Sequence, residues 1–176
     1  MNYICKVPSP MGELTLSGDG LNLTGLWMEG QKYFGAGLGK TETTDSLPMF
    51  TFVKKWLDDY FAGKNPPVTF PLAPPGSGFR KQVWDILLTI PYGTTITYGQ
   101  IAKELAAKTG KPASAQAVGG AVGHNPISII IPCHRVVGSG RSLTGYAGGI
   151  EKKIYILKHE GLDMNSFTVP TRGTAL

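Results

Sequence analysis

Apolar and polar residues alternate along two stretches near the N-terminus, residues 13–17 and 21–28. Alternation with period two is typical of strands that bury one face. Residues 3–7 form a third strand-like stretch, and turn-forming residues separate the three. The pattern predicts an antiparallel β-meander over residues 1–30. The glycine- and threonine-rich residues 29–45 are expected to form a loop.

A helical period replaces this alternation in the next segment. Ser46 and Pro48 stand where an N-cap and a first turn belong, and Gly63 ends the segment. The apolar residues at helical spacing are Phe50, Val53, Trp56, Leu57, Tyr60 and Phe61. They predict one helix whose apolar face packs on the meander.

A proline-rich segment follows this helix. Residues 65–78 contain five prolines and two glycines, a composition typical of a linker. We therefore expect an N-terminal α/β domain over residues 1–75 and a mainly helical domain over residues 76–176. The expected fold class is mixed α/β (α+β).

The second domain has the pattern of several short helices. Apolar residues over 79–90 follow a helical period. Thr97 and Gln100 have the spacing of a capping box for the next helix, and Ser114 can cap a third helix after a turn that contains glycine. Two short helices around such a turn predict a helix-turn-helix.

A final helix is expected to begin near Ile150. Its apolar stripe leaves Lys152, Lys153 and Lys158 on the other faces. Residues 163–176 are expected to form a loosely held tail.

The reactive side chains concentrate in the apolar segment 129–137. Cys133, His134 and Arg135 follow Pro132 at its centre, in a predicted strand or bend. A thiolate is the reactive form of cysteine, and a nearby His or Arg lowers the thiol pKa. Pro132 fixes φ, so it can hold the next side chain at a rigid angle. The alternative is a buried structural cysteine, the usual state of a free cysteine.

The segment Pro132–Val137 resembles the acceptor motif of the O6-alkylguanine-DNA alkyltransferases, the methylated-DNA–protein-cysteine methyltransferases. Further matching motifs, in the order of that family, are Ala117–Ala121, Asn125-Pro126, Tyr146–Gly149 and His159–Gly161. The resemblance is strong over residues 75–162 and weak before them. It implies single-turnover transfer of an alkyl group from O6-alkylguanine in duplex DNA to an internal cysteine. Minor-groove binding and flipping of the damaged nucleotide would precede the transfer.

The resemblance also implies a role for each catalytic residue. Cys133 would accept the alkyl group, His134 would take the thiol proton through a water, and Glu160 would hold the imidazole. Asn125 would fix the turn that leads into the active-site segment. Tyr98 would lie against the target phosphate and could donate a proton to the departing guanine.

The pocket for the base is implied in the same way. Tyr146 and the backbone of Ala147 and Gly148 would line it. The carbonyls of Cys133 and Val136 would accept hydrogen bonds from the guanine amino group. Arg135 is expected to be a structural ion-pair partner rather than a substrate contact.

The helix from Ser114 is poor in large side chains, which suits close approach to a groove or tight helix packing. Family members commonly place an arginine where this chain has Gln116, and that arginine fills the gap left by the flipped base. Glutamine lacks the cation and the planar guanidinium. The expected DNA contacts are Arg80, Lys81, Thr94, Thr97, Ser114, Ala115 and Gln116.

Composition narrows the function classes. A net charge of +5 and a pI of about 9.2 permit a polyanionic partner. No apolar run reaches the roughly 20 residues that span a bilayer, so we expect a protein without membrane contact, cytoplasmic or, in a eukaryote, nuclear. We also expect a monomer. The two cysteines and three histidines lack metal-ligand spacing, so neither a metal nor a cofactor is expected.

Two other function classes compete with the alkyltransferase. A non-enzymatic relative would bind alkylated DNA and recruit other proteins, but such relatives lack the acceptor cysteine. An unrelated Cys-His hydrolase would turn over many times and needs an oxyanion hole, and a helix-turn-helix regulator would bind a defined sequence with Cys133 dispensable.

Overall fold

The computed structural model describes residues 1–171, and the chain divides into two compact units. One unit consists of Met1–Pro75 together with Pro126–Ile130. The other consists of Gly76–Asn125 and the chain from Ile131 onward. No helix in the described part is both long enough and apolar enough to cross a membrane.

The first unit contains a four-stranded sheet in the order β3-β2-β1-β4. The strands are β1 (Asn2–Val7), β2 (Leu14–Gly18), β3 (Leu23–Met28) and β4 (Thr41–Thr43). The first three pair antiparallel, which confirms the predicted meander. The prediction of a loop over residues 29–45 is wrong at β4, which pairs in parallel with β1. All three residues of β4 are exposed, so this strand has no apolar alternation from which it could be predicted.

One helix, α1 (Pro48–Phe61), packs in the same unit. Its buried residues are Met49, Phe50, Val53, Trp56, Leu57 and Tyr60. Gly18 of β2 lies directly against the helix, because a Cβ at that position would clash with Met49 and come within 3.6 Å of Phe50 Cε1.

The predicted cap of α1 is wrong. Leu47 occupies the N-cap position without a side-chain cap bond, and the Ser46 hydroxyl instead hydrogen-bonds that of Thr44 at 2.8 Å. Pro48 has no N–H to satisfy, so this helix start needs one donor fewer than usual.

The segment Pro126–Ile130 belongs to the first unit because its backbone pairs with β3. Leu26 N donates to Pro126 O at 2.8 Å, and Ser128 N donates to Leu26 O at 2.9 Å. Ile129 has a φ of 70°, a strained conformation for a β-branched residue. No local pattern in the sequence predicts this pairing.

The second unit is built from α2 (Gly78–Leu87), α3 (Tyr98–Thr109), α4 (Ala115–Gly123) and α5 (Ile150–His159). Thr97 and Gln100 form the predicted capping box at the start of α3. Gly110 ends α3 with a φ of 69°, a left-handed conformation that glycine adopts without strain. Ser114 caps α4 as predicted.

Two links in this unit were not predicted. Trp84 Nε1 donates to Ala121 O at 2.9 Å and ties α2 to α4. A two-residue parallel pair, β5 (Ile96–Thr97) with β6 (Val136–Val137), joins the start of α3 to the chain just beyond Cys133. Two residues are too few for a periodic pattern to reveal a strand.

The chain after α5 is packed, so the prediction of a loose tail is wrong for its first part. Phe167 is buried in a cluster with Val137, Leu143 and Leu157. Thr168 N donates to Arg141 O at 3.1 Å. The rest of the predicted tail, residues 172–176, lies outside the described residues.

Candidate active site

Cys133 lies at the start of a tight turn rather than in a strand. Pro132 has φ −81° and ψ 65°, and Cys133 N donates to Ile131 O at 2.8 Å, which together form an inverse γ-turn. Cys133–Arg135 then form one turn of 3-10 helix. Successive residues of a 3-10 helix lie about 120° apart, so the three reactive side chains point in different directions.

Asn125, which precedes the Pro126–Ile130 segment in the sequence, hydrogen-bonds the residue that follows this segment. Its Nδ2 donates to Ile131 O at 2.8 Å, the carbonyl that also accepts from Cys133 N. The Asn125 side chain also hydrogen-bonds the Cys133 thiol. One amide therefore fixes the backbone before the cysteine and contacts its sulfur.

His134, Arg135 and Glu160 form a buried network. His134 Nε2 lies 2.7 Å from Glu160 Oε1. Arg135 donates from Nη2 to the same oxygen at 2.9 Å and from Nε to Glu160 Oε2 at 2.9 Å. Arg135 is therefore an ion-pair partner, as predicted. Glu160, at the C-cap of α5, therefore contacts two consecutive residues of the 3-10 turn, His134 and Arg135.

The network fixes the protonation of its members. Burial alone would raise the pKa of Glu160, but the hydrogen bonds and charges of His134 and Arg135 outweigh it and hold that pKa far below its usual range. Burial lowers the pKa of His134; Glu160 opposes this shift, and Arg135 reinforces it. At neutral pH the pair is a carboxylate beside a neutral imidazole. A carboxylate only accepts, so His134 Nε2 carries the hydrogen.

The other imidazole nitrogen of His134 remains an acceptor. Within residues 1–171, Nδ1 is buried without a hydrogen-bond partner. A buried polar atom in this state costs free energy, so it needs a functional explanation. The Nδ1 lone pair is the only basic position that the network leaves on His134.

Lys153 was predicted to lie off the apolar stripe of the last helix, and this is wrong. Lys153 is fully buried, and its Nζ donates to Val136 O at 2.6 Å and to Thr144 O at 2.9 Å. Burial lowers the pKa of Lys153 to about 8, while the charge of the Cys133 thiolate acts in the opposite direction. Helical spacing could have revealed it, since Ile156 and Leu157 lie three and four residues further on.

The electrostatics of Cys133 also differ from expectation. Burial raises the pKa of the Cys133 thiol, and the Asn125 hydrogen bond and the Lys153 charge act against that increase. The cation that favours the thiolate is therefore Lys153 rather than Arg135, whose charge is committed to Glu160. With 4% exposure, the thiol is protected from solvent and is neutral at rest.

Two tyrosines complete the surroundings of Cys133. Burial raises the pKa of Tyr98 to about 12, and burial also raises that of Tyr146 well above its usual range; the thiolate charge adds to both shifts. Tyr98 Oη donates to Thr144 O at 3.0 Å, and its ring lies beside Gly119 of α4. Thr144 O therefore accepts from both Tyr98 and Lys153.

Gly145 provides a test of how firmly Tyr98 is held. A Cβ at this residue would lie 2.7 Å from Tyr98 Oη, and its φ is 74°. We expect Gly145→Ala to displace the hydroxyl and to destabilise the protein by about 2–3 kcal/mol, the sum of backbone strain and a lost hydrogen bond. Chemical denaturation measures the loss.

Gly140→Ala is the matched control for this substitution. Gly140 has a φ of 67°, but nothing lies within 4 Å of a Cβ there. It should show only the strain of about 1–2 kcal/mol. Equal losses in the two variants would mean that Tyr98 moves away without cost.

Both units of the chain are similar to known proteins. Residues 78–162 match the model of the 6-O-methylguanine DNA methyltransferase DNA-binding domain, and residues 2–74 match that of its ribonuclease-like domain. The methylated-DNA–protein-cysteine methyltransferase of Haemophilus influenzae is 42% identical over 90% of this chain and 86% of its own length. The Mycobacterium bovis protein of the same name is 45% identical over 91% and 93%.

This chain belongs to the methylated-DNA–protein-cysteine methyltransferase family. The Mycobacterium tuberculosis OGT crystal structure in complex with DNA has a TM-score of 0.79 at 42% identity, covering 90% of this chain and 92% of that one. An O6-methylguanine DNA methyltransferase from Methanococcus jannaschii has a TM-score of 0.63 at 32% identity, with 93% and 96% covered. The family assignment therefore covers both units of the chain.

The residues predicted to contact DNA lie on the second unit of this family member. Ser114, Ala115 and Gln116 are exposed at the start of α4, and Lys81 and Thr94 are also exposed. Arg80 is partly buried in the first turn of α2, and Thr97 is committed to the capping box. These contacts stay predictions.

The expected pocket residues are placed less completely. Tyr146 is buried near Cys133, and Val136 O accepts from Lys153, which leaves that carbonyl one lone pair for a base. Ala147 and Gly148 lie half-buried in the turn that Gly149 N closes by donating to Tyr146 O at 3.0 Å. No group of three or more metal-ligating side chains occurs within residues 1–171.

The charge of the chain is concentrated in the second unit. It carries 11 Lys and Arg against 5 Asp and Glu, a net charge of +6, whereas the first unit carries 6 against 7. Positive charge attracts the phosphate backbone. The unit with the reactive cysteine is therefore the one suited to a polyanion.

Proposed function

We propose that this protein repairs O6-alkylguanine in duplex DNA by transferring the alkyl group to Cys133 Sγ. The observation that supports this proposal best is the hydrogen bond between Glu160 and His134, the residue that immediately follows Cys133. This bond leaves the other imidazole nitrogen of His134 with a lone pair. Its relatives are named for transfer of a methyl group from DNA to a protein cysteine.

The reaction is a displacement at a saturated carbon. A bond forms between Cys133 Sγ and the alkyl carbon, while the bond from that carbon to guanine O6 breaks and leaves its electron pair on the base. The thiol proton passes to His134 Nδ1 through a water, and the imidazolium then donates a proton to the departing guanine. The product is a thioether, which water does not hydrolyse, so each molecule acts once.

The proton transfer requires a base because burial keeps the thiol neutral. Glu160 holds the Nε2–H of His134 and stabilises the imidazolium that forms in the reaction. Lys153 lies close enough for its charge to favour the developing thiolate. Asn125 donates to Ile131 O, also hydrogen-bonds the sulfur, and so keeps the nucleophile in place.

The damaged nucleotide must leave the helix to reach a side chain with 4% exposure. We propose that α3 and α4 act as a helix-turn-helix in the minor groove, with the small residues of α4 allowing close approach. Tyr98, between Gly119 and Thr144, is the side chain that yields as the base enters. Binding weakens as salt rises, because counterions are released on association.

The partner in this proposal is a double-stranded DNA containing O6-alkylguanine. The protein acts as a monomer without a cofactor, in the cytoplasm or, in a eukaryote, in the nucleus.

The deciding experiment incubates the protein with a duplex that carries O6-methylguanine and analyses its tryptic peptides by mass spectrometry. We expect a methyl-sized mass gain on Cys133, at one per protein molecule. A hydrolase would leave Cys133 unmodified after many turnovers. A non-enzymatic damage-binding protein would bind the duplex without any mass gain, and a regulator would prefer a defined sequence.

Gln116 gives a quantitative prediction about DNA engagement. Gln116→Arg should tighten binding or speed single-turnover repair by about two- to fivefold, the equivalent of one exposed cation–π contact. Gln116→Lys is the control, because it adds the charge without the planar guanidinium that stacks. No gain in rate or affinity on alkylated duplex for Gln116→Arg would contradict the prediction.

A further inference from the structure

We propose that Arg135 is a positioning residue that neutralises Glu160 and thereby keeps His134 uncharged, ready to accept the Cys133 proton. This inference rests on the proposed function and adds a requirement to it. In a His–carboxylate pair without a cation, the carboxylate favours the protonated imidazole. Here an arginine holds the same carboxylate.

The geometry shows how closely Arg135 and His134 share that group. Glu160 Oε1 accepts from His134 Nε2 at 2.7 Å and from Arg135 Nη2 at 2.9 Å. Glu160 Oε2 accepts from Arg135 Nε at 2.9 Å and from Gly93 N at 3.2 Å. The carboxylate is thus fully engaged, and its negative charge is balanced by a two-point ion pair.

Arg135 is itself fixed in place. Its Nη1 donates to Ile90 O at 2.7 Å, and its guanidinium carbon lies 5.6 Å from the centre of the Tyr92 ring. The guanidinium therefore cannot turn away from Glu160 without leaving a buried carbonyl unpaired. Arginine is charged at every pH of interest, so the balance persists throughout the working range.

The charge balance at Glu160 decides whether Nδ1 of His134 can accept a proton. Glu160 accepts the Nε2–H, and in the part of the chain that the structure describes Nδ1 is buried without a hydrogen-bond partner. If His134 were cationic at rest, Nδ1 would carry a proton and could not take one from the thiol. The charged groups that act on the imidazole are Glu160, Arg135 and Lys153. Tyr92 and Tyr146 are titratable neighbours of Glu160, and Cys133 precedes His134 in the same turn. Burial and the two cations act toward a neutral ring, and Glu160 acts against them.

This arrangement differs from a purely structural ion pair in its effect on pH dependence. A structural role predicts lower stability when Arg135 is changed, with an unaltered titration of His134. The positioning role predicts that loss of the cation exposes His134 to an unbalanced carboxylate. The imidazole then takes a proton at a higher pH, and the base is lost earlier as the pH falls.

The experiment follows His134 by nitrogen-15 histidine NMR and, in parallel, the single-turnover rate on duplex with O6-methylguanine as a function of pH. The chain has three histidines, and His134→Gln assigns the relevant signal. In the unaltered protein we expect His134 to stay neutral below the ordinary histidine range. In Arg135→Gln the midpoint and the acid limb of the rate should both move upward by about one pH unit, the size of one charge effect.

Two further variants bracket this result. Arg135→Lys keeps a cation beside Glu160, so most of the shift should disappear even if the rate is lower. Glu160→Gln removes the carboxylate but keeps Arg135, so the His134 midpoint should move downward. The two directions together distinguish charge balance from general loosening of the site.

Several outcomes overturn the inference. One is a His134 midpoint at or above the ordinary range in the unaltered protein, which requires no variant to fold. Another is an unshifted midpoint in a folded Arg135→Gln protein. If the unaltered protein transfers no methyl group at any pH, the proposed function fails, while the NMR titration still tests the charge balance separately.

Discussion

Replacing Cys133 by serine abolishes alkyl transfer and leaves binding to the alkylated duplex intact. The hydroxyl is smaller and similar in shape, so the Pro132 turn and the Asn125 contact survive. Oxygen is a harder nucleophile than sulfur, and one imidazole cannot ionise an alcohol as it ionises a thiol. We expect a loss on the order of 10⁴-fold or more, as for removal of other covalent nucleophiles.

The measurement is transfer of a labelled methyl group from duplex DNA to protein, with DNA binding followed separately by a mobility shift or anisotropy. Cys5→Ala is the control, because Cys5 is the other cysteine, buried in β1 of the first unit. It should transfer at nearly the unaltered rate. Transfer that persists in Cys133→Ser, or fails equally in Cys5→Ala, would contradict the assignment of the acceptor.

Lys153→Met is the second substitution with a large expected effect. It removes the buried ammonium that donates to Val136 O and Thr144 O. Thr144 O keeps the hydrogen bond from Tyr98, whereas Val136 O loses the Lys153 donor, and a buried carbonyl left without a donor costs about 1–3 kcal/mol. Methionine releases the cost of burying a charge, so we expect a net loss of stability of about 1–3 kcal/mol. Chemical denaturation measures this loss.

The same variant should repair DNA more slowly. Without the Lys153 charge the pKa of the Cys133 thiol rises further, so proton removal becomes harder. We expect a rate about 10- to 100-fold lower at pH 7, which corresponds to one or two pH units of thiol ionisation. The deficit should shrink as the pH is raised.

Lys158→Met is the matched control, since Lys158 is exposed in the last turn of the same helix. It should leave stability and rate nearly unchanged. A Lys153→Met protein with normal repair at pH 7 would show that the cation does not assist the thiolate. A uniform loss at every pH would indicate a structural role only.

Burial of the reactive groups has a further consequence for pH. His134 has a lowered pKa in the folded chain, so unfolded chains bind its proton first as the pH falls. Glu160 also has a lowered pKa, and its contribution to stability declines from the ordinary glutamate range downward and is fully lost once the pH has fallen through the low folded value. Both effects act in the same direction, so acid destabilises this unit, beginning near the ordinary histidine range.

The local sequence predicted what depends on near neighbours. Thr97 and Gln100 lie three residues apart, so a capping box is a local property that the structure confirms. The same holds for the Ser114 cap of α4, for the glycine that ends α3 and for the strand patterns of β1 to β3, because each depends on residues that are close in sequence. The family's motifs contain Cys133, His134, Glu160 and Asn125, and the resemblance added Tyr98 as a further candidate. The structure places these five candidates near one turn.

Contacts between residues that are far apart in the sequence could not be predicted from such local patterns. The sequence presented Lys153 as one of several lysines on a helix, and its burial against Val136 O and Thr144 O is a property of the packed unit. Phe167 lies in a segment without periodicity, yet it completes a cluster with Val137 and Leu143. β4 has no apolar residue, so only its pairing with β1 defines it as a strand.

The sequence by itself predicted the longer elements, a candidate nucleophile and the residues that could assist it, because caps, periodicity and motifs depend on neighbouring positions. Only the tertiary structure decided which charge faces which group. Arg135 is adjacent to the nucleophile in sequence but bound to Glu160, whereas Lys153, twenty residues from Cys133, supplies the cation near the sulfur. Electrostatic strength depends on distance and burial, and both are set by the fold.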